Sequence, residues 1–224
     1  MQRAGSVVSL LVLALAWTLQ AVPVLHEPLN LTQENFDLGR FMGKWYEVAV
    51  VSSCPHYMRR KSADPVILAL DLQHVASEGN FTMTATSFRN GTCKKTSTDY
   101  ALTNTPGRFF HHVARFGADV DSFVVHTNYD EYAMMLLQGT EKPSGNETIT
   151  VKLYSRTWNV TAAVLDDFKI LVREHGMTGD AIIMNQNKGE CDPGEQVTKP
   201  QNLVPKRSKR NVAPHAQEDD AGNI

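Results

Sequence analysis

Three cysteines, Cys54, Cys93 and Cys191, are the residues of this 224-residue chain whose type is suited to redox or covalent chemistry. One disulfide consumes two of them, so in an oxidising compartment one thiol is left over. Cys54 has the neighbours of a reactive thiol. Pro55 disfavours regular structure directly after it, and His56, Arg59, Arg60 and Lys61 follow within seven positions. Nearby positive charge lowers a thiol's pKa and raises its thiolate fraction. The competing reading is an inert buried cysteine. Closing Cys93 to Cys191 would enclose nearly a hundred residues and stabilise the fold by about 4–5 kcal/mol in a loop-closure model. Spacing alone leaves the pairing open.

The compartment is read from the two ends. Arg3, the apolar run 7–17 and the small residue Ala21 form a leader too short to span a bilayer, so residues 1–21 are expected to be a removed signal peptide. No later stretch approaches the roughly 20 apolar residues of a membrane helix. The expected product is secreted and extracellular. Asn30, Asn80, Asn90, Asn146 and Asn159 each head an Asn-x-Ser/Thr sequon, which in that pathway marks surface sites for glycosylation. Residues 199–210 are a proline-containing tail ending in Arg207-Ser208-Lys209-Arg210, and 211–224 carry the acidic run Glu218-Asp219-Asp220. The basic run is expected to be a proprotein cleavage site at Arg207, Lys209 and Arg210; a solvated charged tail is the alternative. The formal net charge is -2, and it is balanced once leader and tail are removed, which argues against nucleic acid as partner.

The elements that must position the thiol read mostly as strands. Apolar or alternating runs at 45–51, 66–72, 81–88, 95–101, 108–114, 122–127, 132–137 and 148–154 are separated by turn residues, which predicts eight strands. Ala163, Val164, Phe168, Leu171 and Val172 recur near a 3.6-residue spacing, with Thr161 as N-cap and Gly176 just past the end. That predicts one helix, followed by a short strand at 181–184. An all-β, eight-stranded antiparallel up-and-down barrel with a C-terminal α-helix fits this order, and its interior can hold a small ligand.

Gly43-Lys44-Trp45-Tyr46, then Thr127-Asn128-Tyr129, then Arg156 resemble the three ordered motifs of the lipocalins. Gly43, Trp45, Thr127, Tyr129 and Arg156 are read as structural: Trp45 plugs the narrow end and Arg156 lies over its indole. The lipocalin domain is expected over 22–198. A longer set is similar to one branch of that family: Gln33-Glu34-Asn35-Phe36, the whole block from Val124 to Ala133, Lys152-Leu153-Tyr154, and the segment from Gly189 to Gln196. That branch consists of plasma and tissue proteins made as the front part of a precursor shared with bikunin, so bikunin is an implied partner if the precursor continues.

The resemblance implies a disulfide between Cys93 and Cys191, with Cys54 free. It also implies a scavenger that binds haem and small oxidising or radical compounds. In that picture the compounds are reduced through Cys54, and products are trapped as a covalent chromophore on Cys54 and on lysines at the barrel mouth. No resident cofactor is required; haem or the bound chromophore is the ligand. Of three aligned lysine positions only Lys152 is kept, the others being Val113 and Gly139, and Lys152 could equally be a solvent-facing strand lysine. Mixed disulfides with plasma proteins such as immunoglobulin A are implied through Cys54. His111 and His112 face opposite ways in a strand, so they form no two-tooth metal clamp. His126 is read as hydrogen-bonded and structural. The turn at 141–145 has no histidine, so no axial haem ligand is assigned and no metal site is expected. Hydrolase, nucleotide-binding and zinc-protease motifs are absent. Passive carriage of a small hydrophobic ligand is the alternative function, and thiol catalysis inside the barrel, as in prostaglandin-isomerising lipocalins, is a further one.

Overall fold

Alternating side chains make the strands of this chain, and glycines or Asn and Asp turns end them. The computed structural model describes residues 31–75, 79–89 and 92–188. The leader, Asn30, Asn90, Cys191, the basic cleavage site and the acidic segment lie outside the described residues. A single helical turn, α1 (Leu38–Phe41), is capped by Asp37, whose side chain accepts from the Arg40 amide. It leads into β1 (Gly43–Ser52), α2 (Pro55–Ala63) and β2 (Leu68–Val75). Then come β3 (Asn80–Arg89), β4 (Thr92–Leu102), β5 (Arg108–Val113), β6 (Ala118–Thr127), β7 (Tyr132–Glu141) and β8 (Glu147–Ser155). The chain continues through α3 (Ala162–Glu174) to the short β9 (Ile183–Met184).

Each of β2 to β7 pairs antiparallel with the next, β8 pairs with β1, and β1 pairs with β2, so the sheet closes on itself, with β9 added on β1. The expected eight-stranded barrel and its later helix are therefore the observed fold. Thr161 caps α3 by accepting from the Val164 amide, and Gly176 past its end has φ +75°, the left-handed conformation that glycine adopts at least cost. The expected strand at 181–184 shrinks to Ile183–Met184, because Gly179–Ala181 forms a single 3-10 turn.

Two apolar layers hold the barrel. One fills its closed end with Phe41, Trp45, Phe81, Phe109, Tyr129 and Tyr154. The other lies outside the wall, where Phe168, Leu171 and Val172 of α3 pack on Tyr46, Val48 and Val51. Covered on both faces, β1 is buried continuously from Trp45 to Ser52, which explains why it reads as an apolar run and not as an alternation.

The segment after Cys54 corrects an expectation. Pro55 does not break regular structure; it opens the nine-residue α2 from its first turn. A proline there loses no helical hydrogen bond, because the first-turn amides have no intrahelical acceptor, and its fixed φ already suits the helix.

Candidate functional site

The closed end fixes the geometry of everything above it. The Trp45 indole is fully buried and its Nε1 donates to the Phe41 carbonyl at 2.8 Å. The Arg156 guanidinium carbon stands 3.7 Å from the centre of that ring. Its nitrogens donate to three carbonyls, those of Tyr129 at 2.9 Å, Lys44 at 2.7 Å and Arg40 at 2.8 Å. Thr127 Oγ1 accepts from the Tyr129 amide and donates to the Tyr132 carbonyl. That contact supports Tyr129 at φ +67°. Gly43 has φ +88° with Arg156 alongside it, so Gly43, Trp45, Thr127, Tyr129 and Arg156 form one structural closure.

The opposite end is open and holds a cavity of about 380 Å³. Cys54 lines it at the N-cap of α2, together with His56, Tyr57 and Arg60 of that helix. Val113, Phe116, Ala118, Val120 and Leu137 supply an apolar wall, and Lys152 and His111 supply polar groups. Cys54 is a free cysteine, partly exposed, and Cys93 is disulfide-bonded; the proposed partner, Cys191, lies outside the described residues. Val113 and Gly139, where the family pattern has lysines, both line the same cavity. The departure therefore changes the lining itself. At Gly139 an added Cβ would come within 2.8 Å of Thr148 Oγ1, so a side chain fits there only if Thr148 moves.

Lys152 is not a solvent-facing lysine. Its side chain is 16% exposed and its Nζ lies 2.9 Å from Oε2 of Glu47. Glu47 is fully buried and also meets Lys61 Nζ at 3.0 Å. A bulge in β1 between Glu47 and Ala49 lies where this carboxylate reaches both ammonium groups. Asn185 donates to the Glu47 carbonyl at 2.7 Å. Burial pushes the Glu47 pKa up, but the charges of Lys152 and Lys61 outweigh that and hold it well below the carboxylate range. The Lys152 amine shows the mirror effect: burial lowers its pKa, and the Glu47 charge more than restores it, leaving it well above the usual lysine value. Lys61, expected to lend charge to the thiol, is instead 3% exposed and committed to Glu47 and the Val66 carbonyl.

The histidines separate as strand alternation requires. His111 is 9% exposed and lines the cavity against Tyr100, while His112 points out and pairs with Asp119 at 2.8 Å. Burial, then the Lys152 and His112 charges, lower the His111 pKa to about 4, so its imidazole is neutral near pH 7. His126 is exposed and shares a hydrogen bond with the Tyr132 hydroxyl at 2.8 Å. Among the described residues no cluster of three or more metal-ligating side chains occurs. Asn146 and Asn159 are exposed and Asn80 is half-buried.

Sequence reasoning did not single out Glu47 or Tyr57. For Glu47 a signal existed, namely a lone carboxylate inside an apolar run, which demands a buried partner.

A closed antiparallel barrel with one plugged end, one open cavity and a helix on its wall defines a lipocalin, and the lipocalin / cytosolic fatty-acid binding protein family model matches residues 42–189. The chain belongs to that family. Over 219 residues it is 52% identical to Protein AMBP, the alpha-1-microglobulin/bikunin precursor, of Pleuronectes platessa, a match covering 96% of this chain and 61% of that relative. The resemblance carried by the block from Val124 to Ala133 is thus to alpha-1-microglobulin, and the chain spans about three fifths of the relative's length. It is also 28% identical over 159 residues to prostaglandin-H2 D-isomerase of Felis catus, covering 71% of this chain and 82% of that one. The siderocalin Ex-FABP structure matches with a TM-score of 0.55 at 20% identity, over 67% of this chain and 96% of that one, which shows the fold alone. No helix among the described residues is long and apolar enough to cross a membrane.

Proposed function

We propose that this lipocalin is secreted, binds haem-like and small oxidising or radical compounds in its cavity, and reduces and traps them through Cys54. The observation that carries this reading is a free thiol on the rim of a ligand-sized cavity. A one-electron oxidant takes an electron from the Cys54 thiolate and leaves a thiyl radical. A second radical then couples to that sulfur, forming a carbon–sulfur bond and a covalent chromophore. Each chain therefore consumes about two radical equivalents by this route.

Titrating the purified protein with a stable organic radical cation, followed by peptide mass mapping, tests the scheme. Cys54→Ser should lose most of the consumption and the adduct at that peptide. Equal consumption by the variant, with no adduct on the native protein, would sink the thiol reading. Haemin binding, followed by the shift of its Soret band, should survive Cys54→Ser, because serine keeps nearly the same side-chain size and the apolar wall of Val113, Phe116, Ala118, Val120 and Leu137 is untouched. Lys152 takes an adduct only after losing the proton that Glu47 holds on it.

Passive carriage is the second reading, favoured by the apolar wall of Val113, Phe116, Ala118, Val120 and Leu137. It predicts ligand affinity indifferent to Cys54 and no radical consumption. Turnover of the kind named for the Felis catus isomerase would call for a thiol deep in the barrel, and the rim position of Cys54 favours a stoichiometric reductant. The same position leaves the sulfur open to mixed disulfides with plasma proteins such as immunoglobulin A. The length of the precursor relatives supports a following bikunin part, released at Arg210.

A further inference from the structure

Glu47 is one carboxylate shared by two ammonium groups. Its two partners are Lys61, with a side chain 4% exposed, and Lys152, with a side chain 16% exposed. Among the described residues neither lysine has a second acidic partner. The barrel wall therefore carries one positive charge more than its buried anion balances, and an unbalanced buried charge is costly. Lys61 is shut in against Glu47 and the Val66 carbonyl, whereas Lys152 opens onto the cavity.

A second group points to the same place. His111 lines that cavity, is nine-tenths buried, and its Nδ1 has no hydrogen-bond partner among the described residues. A buried polar nitrogen without a partner costs on the order of 1–3 kcal/mol. A neutral imidazole has one N–H to donate, and Lys152 lies near enough for its charge to act on this ring.

We propose that Lys152 and His111 form an anion subsite within the cavity, which receives the carboxylate of a small apolar acid that enters acid-first. The ligand acid is the second counterion of the two lysines, and the ligand body lies along Val120, Leu137 and Phe116 towards the rim. This placement rests on the reading of the cavity as the ligand site. It adds the chemical class of the ligand and its direction, and it makes Lys152 an ionic anchor in its protonated form.

Dodecanoate and dodecanol, which differ in charge at one end, are the probes, with affinities measured by calorimetry on the full chain. The native protein should bind dodecanoate roughly tenfold or more tightly than dodecanol, since a hydrogen bond to a charged group contributes about 1.5–3 kcal/mol. Lys152→Met leaves Glu47 and Lys61 as a matched pair, and should abolish that preference while keeping dodecanol binding. His111→Phe should reduce the preference several-fold. Equal binding of the two probes to the native protein overturns the proposal, as does a preference that survives Lys152→Met. A preference lost in Arg60→Met instead would put the acid at the rim, and also overturns it. Failure of both probes to bind removes the ligand-cavity reading itself. Failure of the thiol scheme shows only in radical consumption by Cys54→Ser and leaves these affinities untouched.

Discussion

At the scale of single residues, the cavity separates two kinds of reactivity that the sequence placed together. Cys54 is partly exposed and has no ion-pair partner among the described residues. Lys152 is held as an ammonium by Glu47 at 2.9 Å, and a protonated amine has no lone pair with which to attack. Amine-directed labelling should therefore leave Lys152 among the last lysines modified at pH 8, with exposed Lys94, Lys95 and Lys142 going first. Labelling of Lys152 should rise only as the pH approaches its raised pKa. Peptide mass mapping after timed labelling reads this directly, and early modification of Lys152 at pH 8 would show that the Glu47 pair does not protect it. Of the expected lysine set, one position remains and is ionically occupied, so most covalent trapping falls to the sulfur.

At the scale of elements, α2 is tied to the barrel by a buried ion pair. Lys61 reaches from this helix to Glu47 in β1, and Glu47 reaches on to Lys152 in β8. Removing the carboxylate strands two buried ammonium groups, while removing Lys61 leaves Glu47 still paired. Glu47→Gln should accordingly cost about 3–5 kcal/mol in urea unfolding, and Lys61→Met clearly less. Equal losses would mean that the lysines are solvated and the network is not buried in solution. This network marks the limit of what the sequence disclosed. The strands were legible because alternation and turn residues are local, and α3 because its cap, its stripe and its terminal glycine lie within sixteen positions. The closure by Trp45 and Arg156 was legible through its motifs. Helix α2 is not legible from Pro55 alone, because a proline reads as a breaker everywhere except at a first turn, which is where Pro55 stands. The ion pairs could not be read locally: positions 47, 61 and 152 meet only after β1 pairs with β8 and α2 folds back.

For the whole molecule, the two ends of the barrel should respond differently to acid. Burial lowers the folded pKa of His111 to about 4, against an ordinary histidine value of about 6.5. Between those values the unfolded chain binds a proton that the folded one refuses, so stability falls as pH drops from about 6.5 towards 4. The size of that loss is on the order of 2–3 kcal/mol. The Lys152 and Lys61 charges outweigh burial and hold the Glu47 pKa below the ordinary carboxylate value, so its contribution is complete above about pH 4.5 and drains away below it. His111 lines the cavity, and Glu47 holds Lys152, which also lines it. The closed end rests on Trp45, Phe41 and the Arg156 guanidinium; burial lowers the Arg156 pKa, partly offset by the Asp130 charge, and a guanidinium keeps its charge throughout this range. The melting temperature should therefore fall from pH 7 to pH 5, and His111→Phe should flatten that interval while leaving the steeper loss below pH 4.5 in place. Hydrogen exchange at pH 4 should show amides around Lys152 and His111 opening before those of Trp45 and Ala133. Loss of protection at the plug first would place the acid-sensitive groups elsewhere. The order of opening also bears on the cavity, because protonation of His111 beside Lys152 adds a second positive charge to the wall. Only near pH 4, where His111 of the folded chain takes that proton, should the folded remainder hold an anion more tightly, and only one still ionised there, even as the barrel around it weakens.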